Sequence, residues 1–124
     1  SKELGCKYLS FDVSDFANFD KFLSEANSIL GGANVLINNA GISLHEGEIF
    51  NVTEEGFDKQ FNTNLKASYF LAQKFIQMYE LNGMTRGSVL FVSSERGTYV
   101  DDIPYGLTKA AINSLTQSLA KLLI

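Results

Sequence analysis

Val35-Leu36-Ile37-Asn38-Asn39-Ala40-Gly41 is the stretch on which the fold turns. Val35, Leu36 and Ile37 form an unbroken apolar run, which reads as a short strand buried on both faces. Asn38 to Gly41 then supplies turn-forming and small residues, which carry the chain out of the strand and let another group approach the backbone closely. A strand covered on both faces marks a parallel sheet lying between helices.

Outward from this stretch, the segments alternate as such a sheet requires. Upstream, Asp15 or Ser14 can cap a helix whose apolar residues Phe16, Phe19, Leu23, Ala26 and Leu30 keep helical spacing, and Gly31-Gly32 stops it. Lys7 to Val13 is short and β-prone and reads as a strand. Ser1 to Gly5 reads as the last turn of an earlier helix ended by Gly5. Downstream, Thr53 caps a helix, and Glu54 and Glu55 suit its positive end. Phe57, Phe61, Leu65, Ser68, Ala72, Phe75 and Tyr79 trace its inner face, and Asn82-Gly83 closes it. Val89 to Val92 reads as a third strand, ending at Ser93-Ser94. The last helix starts near Pro104, a residue suited to a first turn, and carries Ala110, Ala111, Leu115, Leu119 and Leu122.

Strand and helix thus alternate three times, the pattern of an α/β fold with a doubly wound parallel sheet and helices on both faces. Ligands of such sheets bind beyond the carboxyl ends of the strands. Asp12, the Asn38 to Gly41 turn and Ser93-Ser94 should therefore line one crevice. There is no initiator methionine, and Leu122-Leu123-Ile124 stops in mid-helix. Both ends look cut, so the expectation is a piece of a longer chain.

Composition narrows the class. The chain has 124 residues, 45 % hydrophobic and 19 % charged, which suits one globular domain. No apolar run approaches the ~20 residues needed to span a bilayer, and no targeting segment is evident. A net charge of −4 without a basic stripe argues against nucleic acid as a partner. Cys6 is the only cysteine, so an internal disulfide is impossible, and a reducing cytoplasm fits. It reads as a small apolar residue beside the first strand.

The chemistry gathers at Tyr105-Gly106-Leu107-Thr108-Lys109. Tyrosine and lysine at i and i+4 lie on one helical face, so the Lys109 ammonium can stand beside the Tyr105 phenol. A phenol with a pKa near ~10 is a poor acid or base at neutral pH, and a neighbouring cation favours its phenolate. The pair is a candidate general acid/base for an alcohol or carbonyl oxygen. Asn64 is polar within an apolar helical face and needs internal partners. Asp12 reads equally as a helix-capping acid or as a ligand contact. His45, the only histidine, is better explained as an exposed loop residue than as a substrate contact. Asp101 and Asp102 suit capping of the last helix, and no coordination set for a metal is complete.

Asn38-Asn39-Ala40-Gly41 after a strand, Asn64 in the next helix, Ser93-Ser94 at a strand end and Tyr105 with Lys109 follow one another in a known order. With Asp12-Val13 they make the whole chain resemble a short-chain dehydrogenase/reductase. The resemblance implies a Rossmann-like fold, with residues 1–124 as one partial NAD(P)-binding domain. It implies hydride transfer between NAD or NADP and a small carbonyl or alcohol substrate. It gives Tyr105 the acid/base role and Ser94, in Ser94-Glu95-Arg96-Gly97, the substrate oxygen. Lys109 would hold the nicotinamide ribose and tune Tyr105, and Asn64 would hold a water that relays protons to Lys109. Asp12 would meet the adenine amino group beside the Val13 backbone, and Asn39, Ala40 and Gly41 the adenosine ribose. The helices from Thr53 and Pro104 resemble the family's dimer and tetramer surfaces.

The family's Thr-Gly-x-x-x-Gly-x-Gly phosphate loop is absent, with the first two strands and the last ones. In the order 3-2-1-4-5-6, the strand ending at Asp12 is the third and that ending at Ile37 the fourth. Two absent strands belong between them, leaving about three spacings of ~4.8 Å. Unpaired edges at that gap invite aggregation, and poor stability and poor dinucleotide binding are expected. The alternative to a working oxidoreductase is therefore a truncated or nucleotide-binding, self-assembling segment without turnover.

Overall fold

A computed structural model of the protein describes residues 4–123. Gly5 has a left-handed φ of 63°, but the helical turn expected before it falls on residues 1–3, outside the described residues, as does Ile124. In chain order the elements are α1 (Phe19–Leu30), β1 (Val35–Asn38), α2 (Glu54–Phe61), α3 (Ala67–Leu81), β2 (Ser88–Phe91) and α4 (Pro104–Leu122). Short 3-10 turns cover Phe16–Asn18, Ile49–Asn51 and Glu95–Thr98, and a π turn, Asn62–Lys66, joins α2 to α3.

The ends of these elements follow from local chemistry. Gly31 leaves α1 at φ 67°, and its N–H and that of Gly32 close onto the last carbonyls. Thr53 caps α2 by accepting the Gly56 amide at 3.0 Å, with Glu54 and Glu55 in the positive first turn. Gly83, at φ 64°, follows the C-cap Asn82 of α3. Neither Ser14 nor Asp15 caps α1. The Asp15 carboxylate takes the Asn18 amide instead, because a 3-10 turn intervenes before α1.

β1 and β2 pair in parallel, Val35 opposite Ser88 through Asn38 opposite Phe91. Alternation then fixes the faces. Leu36 turns to the core formed by Phe19, Leu23, Ala67 and Leu71. α1 and α3 pack together there, tied by an ion pair of 2.7 Å between Lys74 and Asp20, and the turns that precede them meet where Lys66 lies over the Phe16 ring. On the other face Val35, Ile37, Leu90 and Val92 are exposed, Ile37 to 60 %. The expectation that β1 is buried on both faces therefore fails. The second helix layer of the fold class has no counterpart among the described residues.

Lys7 to Val13 departs further from expectation. It joins no ladder, and among the described residues the sheet has two strands. Phe11 and Val13 are instead drawn onto the helix layer, where Phe11 stacks on Phe22 at 4.2 Å. With no neighbouring strand to pair with, burial of its apolar side chains decides where this segment lies. On α4 Thr108, Lys109 and Ile112 are buried, while Ala110 is exposed.

Candidate active site

The π turn aims Asn64 inward. A π turn inserts an extra residue into a helix, and such turns are common where a side chain must be redirected. Asn64 is 1 % exposed, and both ends of its side-chain amide are hydrogen-bonded. Its Oδ1 accepts the Ile42 amide at 2.8 Å, and its Nδ2 donates to the Ile42 carbonyl at 2.8 Å and to Thr108 Oγ1 at 3.2 Å. Thr108 in turn donates to the Tyr105 carbonyl at 2.7 Å. The segment following Gly41 is thereby bound through Asn64 to the first turns of α4.

Lys109 is buried beneath this junction, 5 % exposed. Its ammonium donates to the Val92 carbonyl at 2.8 Å, just past the end of the β2 ladder. It lies 5.7 Å from the centre of the Tyr105 ring. The i, i+4 spacing thus brings the cation over the ring, with its hydrogen bond made to the backbone. A buried ammonium needs an acceptor, and the strand-end carbonyl supplies one. Gly41 is the opposite wall: a Cβ placed there would lie 3.4 Å from Lys109 Nζ and 3.6 Å from Asn64 Oδ1. Tyr105 is partly exposed.

Ser94 stands at the start of the 3-10 turn Glu95–Thr98, where its Oγ accepts the Arg96 amide at 3.2 Å. Among the described residues, nothing accepts its hydroxyl proton. Ser93 faces α4 and donates to Asn113 Oδ1 at 2.7 Å, which makes it the structural partner. Asn113 donates to the Gly97 carbonyl at 3.2 Å. Gly97 lies so close to α4 that a Cβ would stand 2.7 Å from the Lys109 carbonyl carbon.

Val13, Asn38, Asn39 and Ala40 line a second space, a cavity of about 220 Å³ shared with Phe11, Leu36 and Thr63. Asn38 is 8 % exposed, and its Nδ2 has no partner among the described residues. The Asp12 carboxylate is turned to Ser14, whose hydroxyl donates at 2.7 Å and whose amide donates at 2.9 Å. These bonds, the hydroxyl's first, hold the Asp12 carboxyl below its usual range. The structure therefore gathers Gly41, Asn64, Tyr105 and Lys109 at one place and Val13, Asn39 and Ala40 at another.

Several sequence readings change here. Asp101 does not cap α4, whose N-cap is Ile103 with no side-chain bond. Its carboxylate, 5 % exposed, pairs with Arg96 at 2.8 Å. Thr108, Asn113, Arg96 and Asp101 were not legible as part of the site. The only signal was polar residues on the inner side of α4 and opposite charges five positions apart. His45 is exposed and has a left-handed φ of 56°. No cluster of three metal-ligating side chains occurs among the described residues, and none of their helices is long and apolar enough to cross a membrane.

The family model for short chain dehydrogenase matches residues 2–124. L-2,3-butanediol dehydrogenase of Corynebacterium glutamicum is 32 % identical over 118 residues, covering 92 % of this chain and 44 % of that protein. NADPH-dependent 3-dehydrocapnine reductase of Ornithobacterium rhinotracheale is 30 % identical over 119 residues, 91 % of this chain and 42 % of that one. The solved structure of ElxO with NADP bound superimposes with a TM-score of 0.81 at 29 % identity, over 93 % of this chain and 46 % of ElxO. The chain thus spans a little under half the length of these relatives.

Proposed function

The chain belongs to the short chain dehydrogenase family, with a Rossmann-like but incomplete α/β fold, and on that premise we propose that it is the central part of an NAD(P)-dependent oxidoreductase acting on a carbonyl or alcohol. One observation carries the reading. Lys109 is a lysine buried with a single backbone acceptor, over the Tyr105 ring and against Gly41 and Asn64. Burial of a lysine is costly, and stability alone gives no reason for it at this place.

In this reading Tyr105 gives or takes the proton of the substrate oxygen at its hydroxyl. Ser94, its oxygen held by the Arg96 amide, donates its free proton to that same oxygen and stabilises charge there. Lys109 fixes Tyr105 electrostatically. Asn64 joins the turn after Gly41 to α4. The relay water implied for it would use what its side-chain bonds leave free, a second Oδ1 lone pair.

The site suits a dinucleotide in part. The turn at Gly41 is exposed and carries no side chain that would screen its backbone from a ligand; a Cβ there would stand in ordinary contact, 3.4 Å, with Lys109 Nζ. Asp12, Val13, Asn39, Ala40 and Gly41 would hold its adenosine end, and Tyr105 and Lys109 its nicotinamide ribose. A bound dinucleotide would supply or accept the hydride. A cytoplasmic location and assembly into a homodimer or homotetramer belong to the same reading. The relatives' names, a butanediol dehydrogenase and an NADPH-dependent reductase, support the substrate class and leave NAD or NADP open.

A second reading is a nucleotide-binding or self-assembling segment without turnover. The two-stranded sheet favours it for the 124 residues alone. The test uses 2,3-butanediol with NAD and NADP on a chain extended to its relatives' length. Tyr105→Phe should lower turnover by about a thousandfold or more while NADH and NADPH fluorescence titrations change little. Undiminished turnover in that variant would sink the oxidoreductase reading. Binding of NADH without turnover in the extended parent chain would favour the second.

A further inference from the structure

The loop from Ser94 to Tyr105 carries an ion pair with no part in the proposed proton and hydride transfer. Arg96 donates from Nε to Asp101 Oδ2 at 2.8 Å, and its Nη2 lies 2.8 Å from the same oxygen. The other carboxylate oxygen accepts the Ile103 amide at 3.3 Å. The guanidinium is half exposed, but the carboxylate is 5 % exposed. Asp101 lies where a side chain at position 106 would be: a Cβ built on Gly106 would fall on its carboxylate. The carboxylate thus rests against the first turn of α4, at the residue immediately after Tyr105.

Arg96 works in two directions. Its backbone amide holds Ser94 Oγ, and its side chain holds Asp101. A displacement of Arg96 is therefore felt at Ser94 through one hydrogen bond, and at the Tyr105 turn through Asp101 and Gly106. The base of the loop is anchored separately, by Ser93 and Gly97 on Asn113 in the third turn of α4. Beyond that anchor Tyr99 and Val100 are exposed, and the far half of the loop is held at Asp101. We propose that the Arg96–Asp101 pair is a positioning device that sets the Ser94 hydroxyl relative to the Tyr105 phenol. Neither residue touches the reacting atoms. The inference rests on the oxidoreductase reading for its catalytic purpose, and on the contacts alone for its mechanical one.

Misplacing a catalytic group by about 1 Å can cost on the order of a hundredfold in rate. Arg96→Ala and Asp101→Asn in the extended chain should each lower kcat by about tenfold to a hundredfold, with KM for 2,3-butanediol and NADH affinity held within about twofold. The double variant should be no worse than either single one, because both remove the same link. Arg96→Lys, which keeps the charge but loses the forked donors, should fall between parent and Arg96→Ala. It is the variant to read if Arg96→Ala fails to fold. In the 124-residue chain, Arg96→Ala should speed deuterium exchange of amides 95–105 by about tenfold and leave those of α1 and α3 unchanged.

Unchanged kcat in both single variants, or a loss matched by equal loss of NADH affinity, would overturn the positioning role. So would unaltered exchange across the loop. Tyr105→Phe is the control for the underlying reading. Undiminished turnover in that control removes the catalytic purpose of the pair together with the reading it rests on, whatever the exchange data show of the loop.

Discussion

Asn64 shows how one residue can serve stability and chemistry together. Its amide holds both the N–H and the C=O of Ile42 and one hydroxyl of α4, at 1 % exposure. Removing a partner from buried polar groups costs more than the bond itself contributed, because water cannot replace it. Asn64→Ala should destabilise the chain by about 2–4 kcal/mol in a urea melt, well beyond an ordinary surface change. Asn64→Asp keeps the acceptor for the Ile42 amide but loses the donor to its carbonyl, and should lie between. A loss below about 0.5 kcal/mol for Asn64→Ala would mean that the Ile42 segment is held by other contacts. The polarity of Asn64 on an apolar face was legible from sequence, but its partners were not. They lie 22 and 44 positions away, and no local pattern encodes them. Asp101 shows the same limit: its position beside a helix start suits a cap, and a guanidinium across the loop holds the carboxylate instead.

At the level of elements, what was legible is what the chain decides locally. The cap at Thr53, the glycine exits at Gly31 and Gly83 and the start of α4 at Pro104 all stand where the sequence puts them. Each depends on residues within one turn. Thr53→Ala should therefore cost about 1 kcal/mol, read as a lower urea midpoint with unchanged m-value. Thr53→Ser, which keeps the oxygen, should cost much less, and equal losses for the two would argue against the cap. The π turn at Asn62–Lys66 was not legible, because the partners of the Asn64 side chain it turns inward lie far away in sequence. Lys7 to Val13 has the composition of a strand and forms none. Strand identity is conferred by a neighbour, and this segment pairs with neither strand of the sheet.

For the whole molecule the governing fact is the bare side of the sheet. Val35, Ile37, Leu90 and Val92 form a contiguous apolar face with no helix on it among the described residues. Such a face beside unpaired edges favours association of chains. In the family's complete fold a second helix layer covers that side. The same substitution should then act with opposite sign in two chains. Ile37 is 60 % exposed in these 124 residues, so Ile37→Lys removes apolar surface there at little cost to folding, and should raise the soluble fraction and lower light scattering. In a chain extended to its relatives' length the lysine would be sealed beneath the added helices without a partner. Burying an unpaired charge in that way should destabilise the extended chain by about 3–5 kcal/mol, measured as a fall in the urea midpoint. An equal, small effect in both chains would mean that the added segments leave this face open. The sheet would then be completed in some way other than the doubly wound order, and the crevice at the strand ends would have to be rebuilt from different neighbours.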